Sequence, residues 1–257
     1  VPVRSVENDR VFSRLTYADD YNGGALYTEY IEPLVSHLRH PLAGCVKKDS
    51  FSGTFGRKED RLMVFTRSYV LPRPDLFHFS PESRSFLFDA GASSWKTGAG
   101  GPSLSILDDL WSRHGINFDK IEAWEGATSE KDFYSSLPSV HKDRVWYHQA
   151  WISSDPNEHD PSKPFIPGVI RNSTTKDDYV FFKLDIDSKS VETGTVDYLL
   201  SGNNSDIEYI DEFAWEHHIR QNYIMAARGW CPGGCDYEKS SLDSYNYFLE
   251  LRRRGVR

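Results

Sequence analysis

The chain has 257 residues, with 30 Lys and Arg against 38 Asp and Glu and a formal net charge of −8. That acidic balance argues against a nucleic-acid backbone or an anionic membrane surface as its main partner, and no apolar run approaches the roughly 18 residues that a membrane-spanning helix needs. Apolar residues at 39% and charged ones at 26% suit a soluble globular protein, and three cysteines are too few for a disulfide scaffold at this length.

The chain starts at Val1 without Met or a signal-like apolar stretch, and reads as a piece of a longer protein whose compartment, cytoplasm or secretory lumen, is undeclared. Residues 1–80 read as an N-terminal extension or cap. Over 27–38 the apolar residues Tyr27, Tyr30, Ile31, Leu34, Val35 and Leu38 fall at helical spacing, which predicts a helix ending near His40-Pro41. A Gly/Ser/Lys stretch over 44–58 precedes the strand-like Leu62-Met63-Val64-Phe65, and Leu71-Pro72-Arg73-Pro74 can continue neither a helix nor a central strand.

From residue 85 the rhythm changes. Strands are expected over 85–89, 120–125, 145–152, 179–186 and 212–217, with helices over 103–114 (stopped by Gly115), around 130–137 and over 241–254. Strands alternating with helices predict, over 81–257, an α/β Rossmann-like fold: a mostly parallel sheet with helices on both faces. In such sheets ligands bind outside the carboxyl ends of the strands.

The chemistry-bearing residues gather at those ends. Asp89-Ala90-Gly91-Ala92-Ser93 closes the first strand, and Gly98, Gly100 and Gly101 precede the next helix. A glycine turn lets backbone approach a ligand, although strand-to-helix turns use glycine for geometry as well. Glu125, at the second strand's end, has the carboxylate that accepts both hydroxyl hydrogens of a ribose in nucleoside sites. The displaced glycines make a poor pyrophosphate clamp, which disfavours a nicotinamide-dependent oxidoreductase. An acid followed by a glycine turn suits a ligand with an amino-acid tail, such as S-adenosylmethionine.

The motifs resemble the FkbM-like group of class I S-adenosylmethionine-dependent methyltransferases. Phe86-Leu87-Phe88-Asp89-Ala90-Gly91-Ala92 is similar to that group's first-strand motif, Ile121-Glu122-Ala123-Trp124-Glu125 to its second, and His148-Gln149-Ala150-Trp151-Ile152-Ser153-Ser154-Asp155 to its third. Phe182-Lys183-Leu184-Asp185-Ile186-Asp187 with Val191-Glu192 resembles its Lys-Ile-Asp-x-Glu-Gly-x-Glu hallmark, and Phe213-Ala214-Trp215-Glu216-His217 its strand ending in Glu-x-His. The match runs in order over about residues 85–220. Departures are Gly126 for the usual Pro, Asp187-Ser188 for Glu-Gly, and Ser93-Ser94-Trp95-Lys96 in place of an Asn-x-Gly turn. The resemblance also implies further strands after the fifth.

It implies that Asp89, Gly91 and Ser93 lie near the methionine part of the cofactor, that Glu125 holds the ribose with Gly126 and Ala127 beside the adenosine, and that Gln149, Ala150 and Trp151 line the adenine. Methyl transfer to a hydroxyl needs alignment and a base; the expected catalytic residues are Asp187 and His217, with His218 an alternative and His148 structural. Asp185, Asp187 and Glu216 are expected to be able to form a carboxylate cluster suited to Mg2+. Cys231 and Cys235, with the nearby histidines, fit a zinc site, a local disulfide or two free thiols. Asn172-Ser173-Thr174 and Asn203-Asn204-Ser205 are glycosylation sequons that permit a secretory location without requiring it. The reading is O-methyl transfer to a sugar or glycan hydroxyl, with Tyr21, Tyr27, Trp95 and Tyr223 as rings that stack on a pyranose. Its rival is an inactive methyltransferase-like module that binds a glycan or a protein partner.

Overall fold

The structure is a computed structural model that describes residues 13–19, 23–31, 79–96, 103–202, 204–217 and 238–257. Near the start of the chain, β1 (Ser13–Asp19) and β2 (Ala25–Ile31) form an antiparallel hairpin that sets Ser13 opposite Ile31 and Asp19 opposite Ala25. Gly23 and Gly24 make the turn at φ 67° and 77°, a conformation glycine adopts without penalty. Strand β2 occupies the front of the helix expected over 27–38. The apolar spacing there is helical, but Tyr27, Thr28, Tyr30 and Ile31 are all strand formers, and pairing with β1 decides between the two. The rest of that expected helix, the strand at 62–65 and the Leu71–Pro74 break lie outside the described residues.

The main unit contains β3 (Ser85–Ala90), β4 (Lys120–Trp124), β5 (Val145–His148), β6 (Tyr179–Leu184) and β7 (Glu212–Trp215). Its helices are α1 (Leu104–Arg113), α2 (Glu130–Ser136), α3 (Ile166–Ser173), α4 (Lys189–Leu200) and α5 (Ser241–Arg253). The strands form one five-stranded sheet in the order β5-β4-β3-β6-β7, and every pair is parallel. The chain steps outward from β3 through β4 to β5, then returns to lay β6 on the other side of β3. The junction of β3 and β6 is therefore the switch point of the sheet, where open α/β sheets leave a crevice.

Both faces of the sheet are covered. Leu87, Ile121, Ala123, Tyr147 and Phe181 pack with Leu104, Leu107 and Trp111 of α1 and Phe133 of α2. On the opposite face Phe86, Phe88, Trp124, Phe182 and Trp215 pack with Ile166 and Ile170 of α3, Val196 and Leu199 of α4, and Phe248 and Leu251 of α5. Burial on both faces is why the central strands read as unbroken apolar runs rather than alternating ones. One edge is capped by the Tyr134 hydroxyl, which accepts from the Tyr147 N–H at 3.0 Å. On the other edge Arg257 accepts from the Phe213 N–H at 2.6 Å and donates to the Asp211 carbonyl at 2.9 Å, a parallel-type link to β7. No helix among the described residues is long and apolar enough to cross a membrane.

Candidate functional site

The central strands β3 and β6 are buried along their whole length, yet each carries one charge, Asp89 and Lys183. The register sets these two directly opposite one another. Both side chains are only 1% exposed, and the ammonium donates to Asp89 Oδ1 at 2.8 Å with Asp185 Oδ2 at 3.6 Å. Burial disfavours the Lys183 ammonium, but the two carboxylates outweigh it and push its pKa up. Burial pushes the Asp89 carboxyl above its usual range; Lys183 opposes that shift, and the charges of Asp185 and Glu125 add to it. Among the described residues, Lys183 is the one ammonium paired with these carboxylates, and the buried Oδ2 of Asp89 has no hydrogen-bond partner.

Gly91 follows at φ 103°. A Cβ there would lie 1.7 Å from the Asp185 carbonyl oxygen, so only glycine lets the end of β6 pass the end of β3. The Gly91 and Ala92 N–H groups both donate to the Trp124 carbonyl, at 2.9 and 3.1 Å. This glycine serves the approach of the protein's own backbone. Ser93 is half-buried just beyond it, while Gly98, Gly100 and Gly101 lie outside the described residues.

At the end of β4 the segment 125–128 is tied down. The Glu125 N–H donates to the His148 carbonyl at 3.2 Å, and the Tyr147 hydroxyl donates to the Glu125 and Thr128 carbonyls at 3.2 and 2.8 Å. Glu125 Oε1 accepts from the Ala127 N–H at 2.8 Å, and among the described residues its second oxygen makes no hydrogen bond. A Cβ on Gly126 would fall 2.1–2.6 Å from three indole carbons of Trp151. Here lies the physical reason for glycine where the resemblance has Pro: the indole lies directly on the Gly126 backbone. Trp151 is nonetheless 60% exposed. Gln149 is exposed and Ala150 buried, its N–H turning back to the His148 carbonyl at 2.9 Å and so ending the strand expected to reach residue 152. His148, expected to be structural, has Nε2 3.1 Å from Glu122 Oε2 and its ring stacked on Trp124. Burial opposes ionisation of Glu122, but its bonds with His148 and Lys120 prevail and hold the carboxyl below its usual range.

Beyond β6 the backbone of Asp187 is left-handed, with φ 58°, and the residue is exposed. His217, the other expected base, is 2% exposed. Its ring stacks on Trp215 at 4.1 Å, meets Tyr247 edge-on, and sets Nδ1 3.1 Å from the buried Ser244 hydroxyl of α5. Of the two candidates, Asp187 is exposed and His217 buried. Glu216 is half-buried, its N–H directed to the Leu184 carbonyl at 3.3 Å.

Among the described residues the expected Mg2+ cluster of Asp185, Asp187 and Glu216 is not assembled, and no group of three His, Cys, Asp or Glu side chains there is arranged to hold a metal ion. Asp185 faces Lys183 instead, and a left-handed turn separates Asp187 from the end of its strand. Trp95, expected to stack on a sugar, is buried in the core with its ring against His141, and its backbone N–H donates to the Ser136 hydroxyl. Tyr21, Tyr223, the Tyr27 side chain, His218, Cys231 and Cys235 lie outside the described residues. Two residues to which the sequence reading gave no role carry much of the site. Lys183 was detectable as a lone cation in an apolar run, and Glu192 as the last acid of the hallmark-like motif that also contains Lys183.

Comparison of the chain with protein-family models, with curated proteins and with solved structures found no match in any of the three.

Proposed function

We propose that the chain is an S-adenosylmethionine-dependent O-methyltransferase whose acceptor is a sugar or glycan hydroxyl. One observation carries this reading: Asp89 and Asp185 meet Lys183 at the switch point, the charge of Glu125 at the end of β4 acts on Asp89, and among the described residues Asp89 Oδ2 is buried without a hydrogen-bond partner. A cluster of that polarity favours a cationic ligand, and S-adenosylmethionine is cationic at both its ammonium and its sulfonium. The residues fit the rest of such a ligand as well. The second oxygen of Glu125 accepts ribose hydroxyls, and the open face of Trp151 offers a purine a stacking surface.

When bound, the cofactor supplies a methyl group already activated by positive sulfur. The chain's own task is to hold that group in line with the acceptor oxygen and keep it there. Asp187, exposed beyond the end of β6, would accept the proton that the acceptor hydroxyl gives up on methylation. The exposed ring of Trp146 supports a sugar-like acceptor. A second reading, a non-catalytic module that binds a glycan or a protein partner, draws on the consumption of the Gly91 and Ala92 N–H groups by Trp124, which leaves that turn less to offer a ligand.

Calorimetric titration with S-adenosylmethionine and S-adenosylhomocysteine, with NAD as control, separates the two. Binding of the adenosyl ligands, weakened roughly 10-fold or more in Glu125→Ala by loss of charge-assisted hydrogen bonds, supports the enzyme. Absence of binding supports the module.

A further inference from the structure

We propose that Glu192 is a positioning residue for the segment Asp185-Ile186-Asp187 and, through it, for the Asp187 carboxylate; its catalytic meaning rests on the reading above. Glu192 lies in the first turn of α4 and is only 1% exposed, a placement that is costly for a carboxylate without hydrogen-bond donors. Its Oε1 accepts from the Ile186 N–H at 2.9 Å, and its Oε2 accepts from the Trp215 indole Nε1 at 3.3 Å. One buried side chain therefore ties the segment after β6 to the last residue of β7.

The same segment is anchored from the other side. The Asp185 N–H donates to the Ala90 carbonyl at 3.0 Å, and the Asp185 carbonyl occupies the space that any side chain at residue 91 would need. Between these anchors and α4 the chain passes through the left-handed conformation of Asp187, the only positive φ at a non-glycine position among the described residues. Such a conformation persists only where the surroundings over-determine it, and it is characteristic of functional sites. Glu192 supplies part of that determination: without its bond the Ile186 N–H is released, and Asp187 relaxes out of the left-handed region.

The test uses the full chain and four variants: Glu192→Ala, Glu192→Gln, Asp187→Gly, and Asp187→Gly combined with Glu192→Ala. Hydrogen exchange at the Ile186 amide is expected to quicken at least about 10-fold in Glu192→Ala while amides of β3 and β4 keep their protection, as for a local opening. Glu192→Gln, whose amide oxygen accepts the same bond, restores the protection. Asp187→Gly raises the denaturation midpoint of the parent, because glycine is at ease in this conformation, and does not raise that of Glu192→Ala. Unchanged protection in Glu192→Ala, failure of Glu192→Gln to restore it, or no rise with Asp187→Gly in the parent overturns the proposal. If Glu192→Ala does not fold, the Glu192→Gln and Asp187→Gly results decide alone.

A titration with S-adenosylmethionine is run in parallel. Glu192→Ala is expected to retain affinity within about 3-fold, and with an acceptor in hand to lose kcat while KM for the cofactor holds. No cofactor binding by the parent refutes the methyltransferase reading alone, since the exchange and midpoint measurements do not depend on it.

Discussion

Replacing Lys183 by Met is expected to cost the fold about 3–5 kcal/mol, the range for removing one partner of a buried ion pair. Lys183 and Asp89 meet at 2.8 Å, each 1% exposed, in the two central strands. At that separation and an effective dielectric near 20 their attraction is about 6 kcal/mol, most of which offsets the desolvation of the two charges. Met keeps the length and apolar stem of Lys but leaves Asp89 buried beside Asp185 and Glu125 without a cation. The double variant Asp89→Leu with Lys183→Met removes both charges from strands that are otherwise apolar and is expected to recover stability to within about 2 kcal/mol of the parent. Urea unfolding followed by tryptophan fluorescence, with far-ultraviolet circular dichroism as a second probe, measures all four corners of the cycle. The interaction energy should exceed about 2 kcal/mol. Additive single-variant costs, or a Lys183→Met cost below about 1 kcal/mol, would refute the pair as a constraint on the central strands. The double variant should also lose affinity for S-adenosylmethionine while remaining folded, because it lacks the Asp89 carboxylate.

Asp211, which accepts from the Val180 N–H at 2.7 Å, is pushed up to about 6 by burial. A carboxyl raised above its ordinary value of about 4 stabilises the fold fully only below that value, and the contribution is lost as pH climbs through about 6. Asp211→Asn keeps an acceptor for Val180 and cannot ionise, so above pH 6 it should be more stable than the parent by up to about 3 kcal/mol, the two-unit shift at 1.36 each. Denaturation curves at pH 4 and pH 7.5 test this, and an equal gap at both would contradict it. Gly126→Ala sets a methyl group into the Trp151 indole, which is exposed enough to swing away. Stability should fall by no more than about 1 kcal/mol, with a red shift in tryptophan emission and weaker adenosyl binding. Unchanged emission would mean that the indole does not rest on residue 126. Gly91→Ala should be far worse, about 3 kcal/mol or more, because the obstacle is a backbone carbonyl at a left-handed position; a thermal midpoint near that of the parent would disprove the close crossing of β3 and β6.

Local pattern was enough to locate most of the sheet. Apolar runs closed by Asp89, Glu125 and Asp185 mark strands because a parallel sheet buried on both faces needs unbroken hydrophobicity, and the structure has strands at each of these places. The gathering of polar groups at the carboxyl ends was legible for the same reason, since an acid that stops such a run falls at the strand's end. What pattern could not supply was anything that depends on partners distant in the chain. Residues 27–31 have helical spacing and form a strand because β1 offers a ladder. Gly91 and Gly126 look alike as turn glycines, yet one admits the Asp185 carbonyl and the other the Trp151 indole. The expected carboxylate cluster failed because Asp185 faces Lys183, and His217 is enclosed because α5 brings Ser244 and Tyr247 against it. Register, strand order and helix packing set those distances, and each is a property of how separate segments meet rather than of the sequence within any one of them.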